Sequence, residues 1–133
     1  FEAAPRHIVI HLEETPGLRV RANPELLHRA IENVVRNALK YSPDGSDIRI
    51  VAEKIATDRC RISVLDRGPG VPEKELASIF EPFRRTADAN GQGYGLGLAI
   101  ARRILSAVNG RIQAKNRPLG GLTVEIDLPL LSG

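Results

Sequence analysis

Apolar and polar positions follow two different spacings along this chain. Strict alternation, which is typical of strands with one buried face, predicts strands at residues 7–12, 18–22, 47–55, 60–66, 111–116 and 122–128. Apolar residues three and four positions apart predict α-helices at residues 23–41 and 95–108. Pro72 begins a short third helix that ends before residue 83. Pro- and Gly-rich turns separate these elements.

The first long helix carries two stripes of side chains. Asn23 is its predicted N-cap, followed by Pro24 and by Glu25 in the first turn. At about 100° per residue, one arc of apolar residues must face the core. This arc consists of Leu27, Ile31, Val34, Val35 and Ala38. Asn33 and Lys40 lie on a neighbouring stripe, for which a solvated face is the simplest interpretation of either residue alone.

Asn37 lies at the border between the two stripes, beside Leu26 and Ala30. A half-buried carboxamide needs partners for both its oxygen and its nitrogen. Two interpretations stay open at this point. Asn37 is either a buried residue satisfied by its neighbours, or an oxygen ligand for a hard cation such as Mg²⁺ that arrives with phosphate groups.

Asp66 ends a predicted strand on which Cys60, Ile62 and Val64 share one face. The same parity places the Asp66 carboxylate on the core side, where it requires hydrogen-bond donors. The next residues, 67–70, form a glycine-rich turn that lets a flat heterocycle approach and donate an amino hydrogen to Asp66. The alternative is that Asp66 caps the loop by accepting from its own backbone N–H groups.

Alternating glycines at residues 91–97 run directly into the second long helix. Their open backbone N–H groups, together with the unpaired N–H groups of the first helical turn, predict a phosphate-binding loop. A glycine-rich loop that only starts a helix is the alternative. The preceding residues 84–92 lack large apolar side chains and are predicted to form a mobile lid.

Composition narrows the possible functions. The 133 residues predict one domain, with 42% hydrophobic and 26% charged residues and a formal net charge of +3. Basic residues form no stripe and aromatic residues make up 4%, so no nucleic-acid partner is expected. Cys60 is the single cysteine, which excludes an internal disulfide and fits a reducing interior. No apolar run in the sequence has membrane-spanning length. The sequence also lacks an initiator Met, so we expect a fragment of a longer protein.

Asn33 and Asn37, the acidic turn and the glycine-rich helix start together indicate a nucleotide pocket. Neither the Walker phosphate loop nor the dinucleotide-binding fingerprint is present. In this order the motifs resemble the catalytic ATP-binding domain of two-component sensor histidine kinases, in the superfamily shared with DNA gyrase, Hsp90 and MutL. Residues 33–41 resemble the N box, 66–70 the G1 box, 80–83 the F box and 93–98 the G2 box. The sequence at residues 120–122, before the last strand, resembles that of envelope-sensor kinases of the CpxA type.

This resemblance implies an α/β two-layer sandwich, the Bergerat fold, with a mixed sheet of about five strands and three helices on one face. Asn37 would ligate Mg²⁺ on ATP with support from Asn33, and Asp66 would accept from the adenine amino group. Catalytic roles are implied for Asn37, Lys40, Arg84 and Arg85. The implied ATP-binding residues are Asn33, Asn37, Lys40, Tyr41, Asp66, Gly68, Gly70, Val71, Ile79, Phe80, Phe83, Gly93, Tyr94, Gly95, Leu96, Gly97 and Leu98.

Gyrase-type ATPases carry a catalytic Glu four residues before the Mg²⁺-binding Asn, and in this sequence that position is Asn33. Glu32 is rotated away by about 100°, so we expect slow hydrolysis. The resemblance implies that the γ-phosphoryl group is transferred to a His on a separate dimerisation domain. His7, His11 and His28 have the context of structural or surface residues, so none of them is the expected acceptor.

The resemblance further implies a response regulator downstream and a cytoplasmic domain, without membrane contact of its own, in an inner-membrane parent. A related serine kinase or ATPase, or a non-catalytic nucleotide-binding module, are the alternatives.

Overall fold

The computed structural model describes residues 7–82, 84–85 and 93–131. Seven strands and two α-helices are formed by these residues. In chain order they are β1 (Val9–Glu14), α1 (Pro24–Tyr41), β2 (Asp47–Ala56), β3 (Arg59–Leu65), β4 (Arg84–Arg85), β5 (Gly93–Gly95), α2 (Gly97–Ala107), β6 (Arg111–Asn116) and β7 (Leu122–Pro129). In the described part of the chain, neither helix combines the length and apolar content needed to cross a lipid bilayer.

Five strands form one mixed sheet in the order β1-β2-β3-β7-β6. β1 and β2 are parallel, whereas the other neighbours are antiparallel. The central pairing of β3 with β7 sets Leu65 opposite Thr123. One residue further on, the Asp66 N–H donates to the Leu122 carbonyl at 2.9 Å. The sheet therefore delivers Asp66 to the start of β7.

Helix α1 begins as the sequence predicts. The Asn23 side chain accepts from the N–H groups of Glu25 and Leu26 at 3.0 and 3.2 Å, so it satisfies two donors of the first turn. The most deeply buried positions are Ala30, Val34, Asn37 and Ala38. This buried face is rotated from the predicted apolar arc toward Asn37, because α1 packs against α2 as well as against the sheet.

The core lies between one face of the sheet and the two helices. Even-numbered residues of β7, such as Val124 and Ile126, point into it and are 3% or less exposed. The other face of the sheet is polar. There Arg61 pairs with Asp127 at 2.7 Å, and Gln113 donates to Glu125 at 2.8 Å. Only one face of the sheet is therefore built to bury apolar surface.

Two elements predicted from the sequence do not form as predicted. Residues 18–22 form no strand. Leu18 and Val20 pack against the core as the segment passes from β1 to α1. The Arg19 carbonyl accepts a hydrogen bond from the Leu131 N–H at 2.7 Å. Two separate 3-10 turns, Glu73–Glu75 and Ser78–Phe80, replace the short third helix. In the described residues two α-helices, not three, cover the sheet.

The second long helix begins later than predicted. Residues Gly93–Gly95 form β5, which pairs with β4, and the helix starts at Gly97 after Leu96. Strand pairing competes with helix formation for these backbone groups, so the glycines join β4 instead of extending α2. The predicted lid continues into residues 86–92, which lie outside the described residues.

Gly120 and Gly121 precede β7 and both have a positive φ, +103° and +107°. A Cβ at Gly121 would overlap the Asp66 carbonyl oxygen, whereas a Cβ at Gly120 would meet nothing within 4 Å. We expect Gly120→Ala to cost about 1–3 kcal/mol through backbone strain, and Gly121→Ala to cost more because it also displaces Asp66. Urea unfolding of the two variants measures the difference, and equal losses would contradict the proposed overlap.

Candidate functional site

One pocket opens where α1 and β3 end at the same side of the sheet. It is lined by Asn37, Tyr41, Asp66, Gly68, Pro69, Gly70 and Leu122. Five of these seven residues belong to the set predicted from the sequence, although the N and G1 boxes are 25 residues or more apart in the chain. The pocket therefore combines the C-terminal half of α1 with the glycine-rich turn after β3.

The Asp66 carboxylate is buried in this pocket, with 3% of the residue exposed. Its Oδ1 accepts from the Gly68 N–H at 2.9 Å and from the Leu122 N–H at 3.0 Å. The core-side position and the loop-capping role expected from the sequence are thus both present. Within the described residues both hydrogen bonds to this side chain end on Oδ1, so Oδ2 retains accepting capacity for a ligand.

Burial raises the pKa of the Asp66 carboxyl above its ordinary value. The N–H groups of Gly68 and Leu122 and the charge of Arg117 act in the opposite direction and favour the ionised form. A buried carboxylate in this state gains from any further donor that reaches it. An amino group on a bound heterocycle would supply such a donor.

Gly68 and Gly70 have different structural reasons to be glycine. A Cβ at Gly68 would lie 2.8 Å from the Tyr41 carbonyl oxygen, so the turn packs directly on the end of α1. Gly70 has a φ of +75°, and a Cβ there would lie 2.7 Å from Oδ1 of Asn116. These glycines let the backbone approach its own neighbours, which is a structural role in addition to the ligand access predicted from the sequence.

Asn37 and Asn33 lie one turn apart on α1. Asn37 is 9% exposed and lines the pocket. The Nδ2 atom of Asn33 is buried and makes no hydrogen bond within the described residues. Asn33 also faces the start of α2, since a Cβ at Gly97 would lie 3.9 Å from the Asn33 carbonyl oxygen. An unsatisfied buried amide next to a helix N-terminus fits a site that gains a polar ligand.

Glu32 points away from this pocket, as its position on the helix predicts. Its carboxylate lies 3.7 Å from Nε2 of His28 and 3.6 Å from a guanidinium nitrogen of Arg36, on the exposed side of α1. The outward direction of Glu32 agrees with its predicted position on the helix, and a role of Asn33 at the site stays a prediction.

Lys40 and Tyr41 end α1 beside the pocket. Tyr41 lines it, and the Lys40 ammonium lies 5.2 Å from the centre of the Tyr41 ring. A cation over an aromatic face is attracted by the quadrupole of the ring. Contact of either residue with a phosphate, ribose or base stays a prediction.

Several other predicted binding residues lie in the core. Val71, Ile79, Phe80 and Leu98 are 5% exposed or less, so the structure gives them a packing role. Leu96 is 45% exposed beside the first turn of α2. Their contacts with nucleotide remain predictions.

The remaining predicted residues surround the segment at 86–92. The backbones of Arg84 and Arg85 form β4, and those of Gly93, Tyr94 and Gly95 form β5, so the chain on either side of that segment is paired. Phe83 lies outside the described residues. Contacts of these residues with nucleotide are predictions.

The sequence motifs did not reveal the role of two further residues that hold the turn after β3. Asn116 bonds both backbone groups of Val71, and Arg117 donates to the Asp66 carbonyl oxygen at 2.8 Å. Their only sequence signal is the Asn-Arg-Pro turn before Gly120 and Gly121, which predicts a turn and not a contact with a distant loop.

The mixed five-stranded sheet, the Asn-bearing helix α1 and the buried Asp66 after β3 agree with the ATP-binding domain expected from the sequence. The chain belongs to the family of histidine kinase-, DNA gyrase B-, and HSP90-like ATPases, whose family model matches residues 22–132. This result confirms the family predicted from the four boxes.

Similar proteins are sensor kinases. The sensor protein KdpD of Mycobacterium tuberculosis is 44% identical over 80% of this chain and 12% of its own length. The sensor histidine kinase CpxA of Escherichia coli is 42% identical over 81% of this chain and 24% of its own. The chain therefore spans less than a quarter of these curated relatives.

Solved structures show the same fold. The mycobacterial sensor histidine kinase MprB has a TM-score of 0.86 at 30% identity, covering 95% of this chain and 86% of that one. Full-length ShkA in complex with AMPPNP has a TM-score of 0.79 at 30% identity, covering 95% of this chain and 26% of that one. The predicted α/β sandwich is confirmed, with two α-helices among the described residues instead of the predicted three.

The raised pKa of Asp66 gives a stability prediction with a defined sign. Because the folded protein holds this proton more tightly than the unfolded chain, ionisation costs stability as the pH rises above about 4. Asp66→Asn lacks the charge and keeps an oxygen acceptor. We therefore expect its free energy of unfolding, relative to the wild type, to increase from about pH 4 to about pH 7, as measured by urea titration.

Asp47 provides the control with the opposite sign. The hydrogen bond from Arg67 is the main cause that lowers the pKa of Asp47. Its ionised form therefore stabilises the fold, and that contribution is lost as the pH falls through the lowered pKa. Asp47→Asn should lose stability relative to the wild type as the pH rises toward about 4, and the difference should then stay nearly constant from about pH 4 to about pH 7. Parallel curves for the two variants would contradict the assignment of Asp66.

Proposed function

We propose that this chain binds Mg-ATP and transfers the γ-phosphoryl group to a histidine on a separate dimerisation domain of a sensor kinase, with a response regulator downstream. The observation that carries the proposal is the convergence of Asp66 and Asn37 on one pocket. A buried carboxylate suits a purine amino group, and a buried carboxamide suits a phosphate-bound cation. AMPPNP in the similar protein ShkA supports an adenine nucleotide as the ligand.

The purine end of the nucleotide would bind against Asp66. Its Oδ2 would accept from the adenine amino group, while Oδ1 stays bonded to Gly68 and Leu122. Guanine presents a carbonyl oxygen at the corresponding edge, and two acceptors facing each other in a buried site repel. The site would therefore select adenine.

The triphosphate would bind along α1 toward the start of α2. The Asn37 oxygen would ligate Mg²⁺, the buried Nδ2 of Asn33 would donate to a phosphate oxygen, and Lys40 would add positive charge. Mg²⁺ takes few protein ligands and keeps water and phosphate oxygens, so one carboxamide fits it. When bound, Mg²⁺ neutralises charge on the phosphates. The first N–H groups of α2, from Gly97 onward, have no side-chain cap and would face the same anion.

In this proposal the residues at the site hold and orient the nucleotide, and no acid among the described residues is assigned to activate water. Glu32 is the nearest acid to Asn33 in the sequence and is paired on the exposed side of α1. Transfer would therefore begin when an imidazole nitrogen from outside attacks the γ-phosphorus. The bond from that phosphorus to the bridging oxygen breaks, ADP leaves, and a phosphorus–nitrogen bond forms. Lys40, Arg84 and Arg85 are the candidates to balance charge in this step.

The histidines of this chain suit other roles. His11 lies 3.5 Å from Asp47, and His28 lies 3.7 Å from Glu32, both on exposed surface. We infer that the acceptor histidine belongs to another part of a longer protein. An inner-membrane parent with this domain in the cytoplasm is part of the same proposal.

Asn37→Ala should remove most of the gain in ATP affinity that Mg²⁺ provides, by about tenfold or more, because it deletes the proposed oxygen ligand. Calorimetric titration of ATP with and without Mg²⁺ measures this gain. Arg36→Ala, which alters the exposed side of the same helix, is the control and should behave as the wild type. A normal Mg²⁺ effect in Asn37→Ala would contradict the metal role.

The acceptor is tested by incubating the chain with γ-labelled ATP and a histidine-bearing dimerisation domain from a similar sensor kinase. We expect label on that domain that is lost in acid and retained in base, as for a phosphorus–nitrogen bond. Asp66→Asn should give none, because its amide NH₂ would face the adenine amino group. Acid-stable label would indicate a serine kinase, and ATP binding without transfer would indicate a nucleotide-binding module; either result overturns the proposal.

A further inference from the structure

Two consecutive residues at the end of β6, Asn116 and Arg117, hold the loop between Asp66 and Val71. They lie outside the N, G1, F and G2 boxes, about 50 residues after the G1 box whose turn they hold. We call Asn116 and Arg117 the clasp. Each of its members grips a different end of the loop, so the glycine-rich span between them is fixed at both sides.

The Asn116 side chain bonds both backbone groups of Val71, as a neighbouring strand would. Its Oδ1 accepts from the Val71 N–H at 2.9 Å, and its Nδ2 donates to the Val71 carbonyl oxygen at 2.6 Å. The same Nδ2 lies 3.4 Å from Oε1 of Glu73. A carboxamide is required, since a carboxylate lacks the donor and a shorter hydroxyl reaches one of the two groups. Its oxygen also occupies the space that a side chain on Gly70 would need.

Arg117 holds the other end of the loop. One guanidinium NH₂ nitrogen donates to the Asp66 carbonyl oxygen at 2.8 Å. The Arg117 backbone is itself fixed, because its N–H donates to the Gly121 carbonyl at 2.9 Å and its carbonyl accepts from the Gly120 N–H at 3.1 Å. The guanidinium therefore stands on a closed turn, beside the backbone of the residue whose carboxylate faces the pocket.

We propose that Asn116 and Arg117 are positioning residues for the purine end of the nucleotide. They act through Asp66 and the turn at Gly68 and Gly70, so this inference rests on the proposed function. A loop with two glycines loses much backbone entropy when it is ordered. A clasp that orders the loop before binding removes that cost from the binding step.

The clasp should affect one end of the ligand only. Asp66 and the turn after it are attached to Asn116 and Arg117, whereas Asn33 and Asn37 lie on α1 and the helix N-terminus belongs to α2. Removing the clasp should therefore weaken recognition of the base and leave binding of the phosphates unchanged. A general loss of folding would weaken both.

The test compares Asn116→Ala and Arg117→Ala with the wild-type chain, using Mg-ATP and Mg-tripolyphosphate in parallel calorimetric titrations. We expect ATP affinity to fall by about tenfold in each variant, with tripolyphosphate affinity unchanged. Arg117→Lys keeps a cationic donor and should recover part of the loss. Gln113→Ala is the matched control, because it removes one amide hydrogen bond from the same strand, to Glu125 on the polar face of the sheet.

Wild-type ATP affinity in both alanine variants would overturn the inference, as would a parallel loss of ATP and tripolyphosphate. If Asn116→Ala does not fold, Arg117→Ala and Arg117→Lys decide the question by the same criteria. A wild type that fails to bind ATP overturns the proposed function itself. The two failures are distinguishable because the wild-type titration comes first.

Discussion

The burial of one carboxylate, that of Asp66, is the constraint on which the site depends. A charge that is 3% exposed must be satisfied by fixed donors, and the structure supplies the N–H groups of Gly68 and Leu122. The first comes from the turn and the second from the start of β7. The pairing of β3 with β7 and the absence of a side chain at Gly121 are both needed to bring them together. The pocket around Asp66 therefore depends on the pairing of β3 with β7 at the centre of the sheet.

Helix α1 ties the other wall of the pocket to the core. Val34 and Ala38 are buried against the sheet and α2, and Asn37 lies beside Val34 at the edge of the same buried face. A carboxamide held by apolar neighbours on a helix has little freedom to move. Such a group is already oriented before a ligand arrives, which is the condition for catalysis by positioning rather than by chemical participation of the protein.

Under the proposed function, the orientation of Glu32 is the feature that favours transfer to an outside nucleophile over hydrolysis. One step along the helix turns its carboxylate to the exposed side, where it pairs with His28 and Arg36, while the Asn33 carbonyl oxygen and Cβ lie near the start of α2. Because Glu32 points away from the pocket, the described residues suit the proposed presentation of a phosphoryl group to a nucleophile from elsewhere. The similar sensor kinases KdpD and CpxA are several times longer than this chain, which agrees with a division of such a reaction between domains.

The sequence by itself determined whatever depends on near neighbours. The Asn23 cap, the parity that buries Asp66 with Cys60 and Val64, and the outward turn of Glu32 all follow from fixed helical and strand periods, and the structure has each of them. Only the tertiary structure decided the rest. Residues 18–22 alternate like a strand but form an irregular connection between β1 and α1. The roles of Asn116 and Arg117 arise because β7 pairs with β3 and β6 pairs with β7, which brings the turn after β6 close to Asp66. Such contacts depend on chain segments far apart in sequence, which no local spacing encodes.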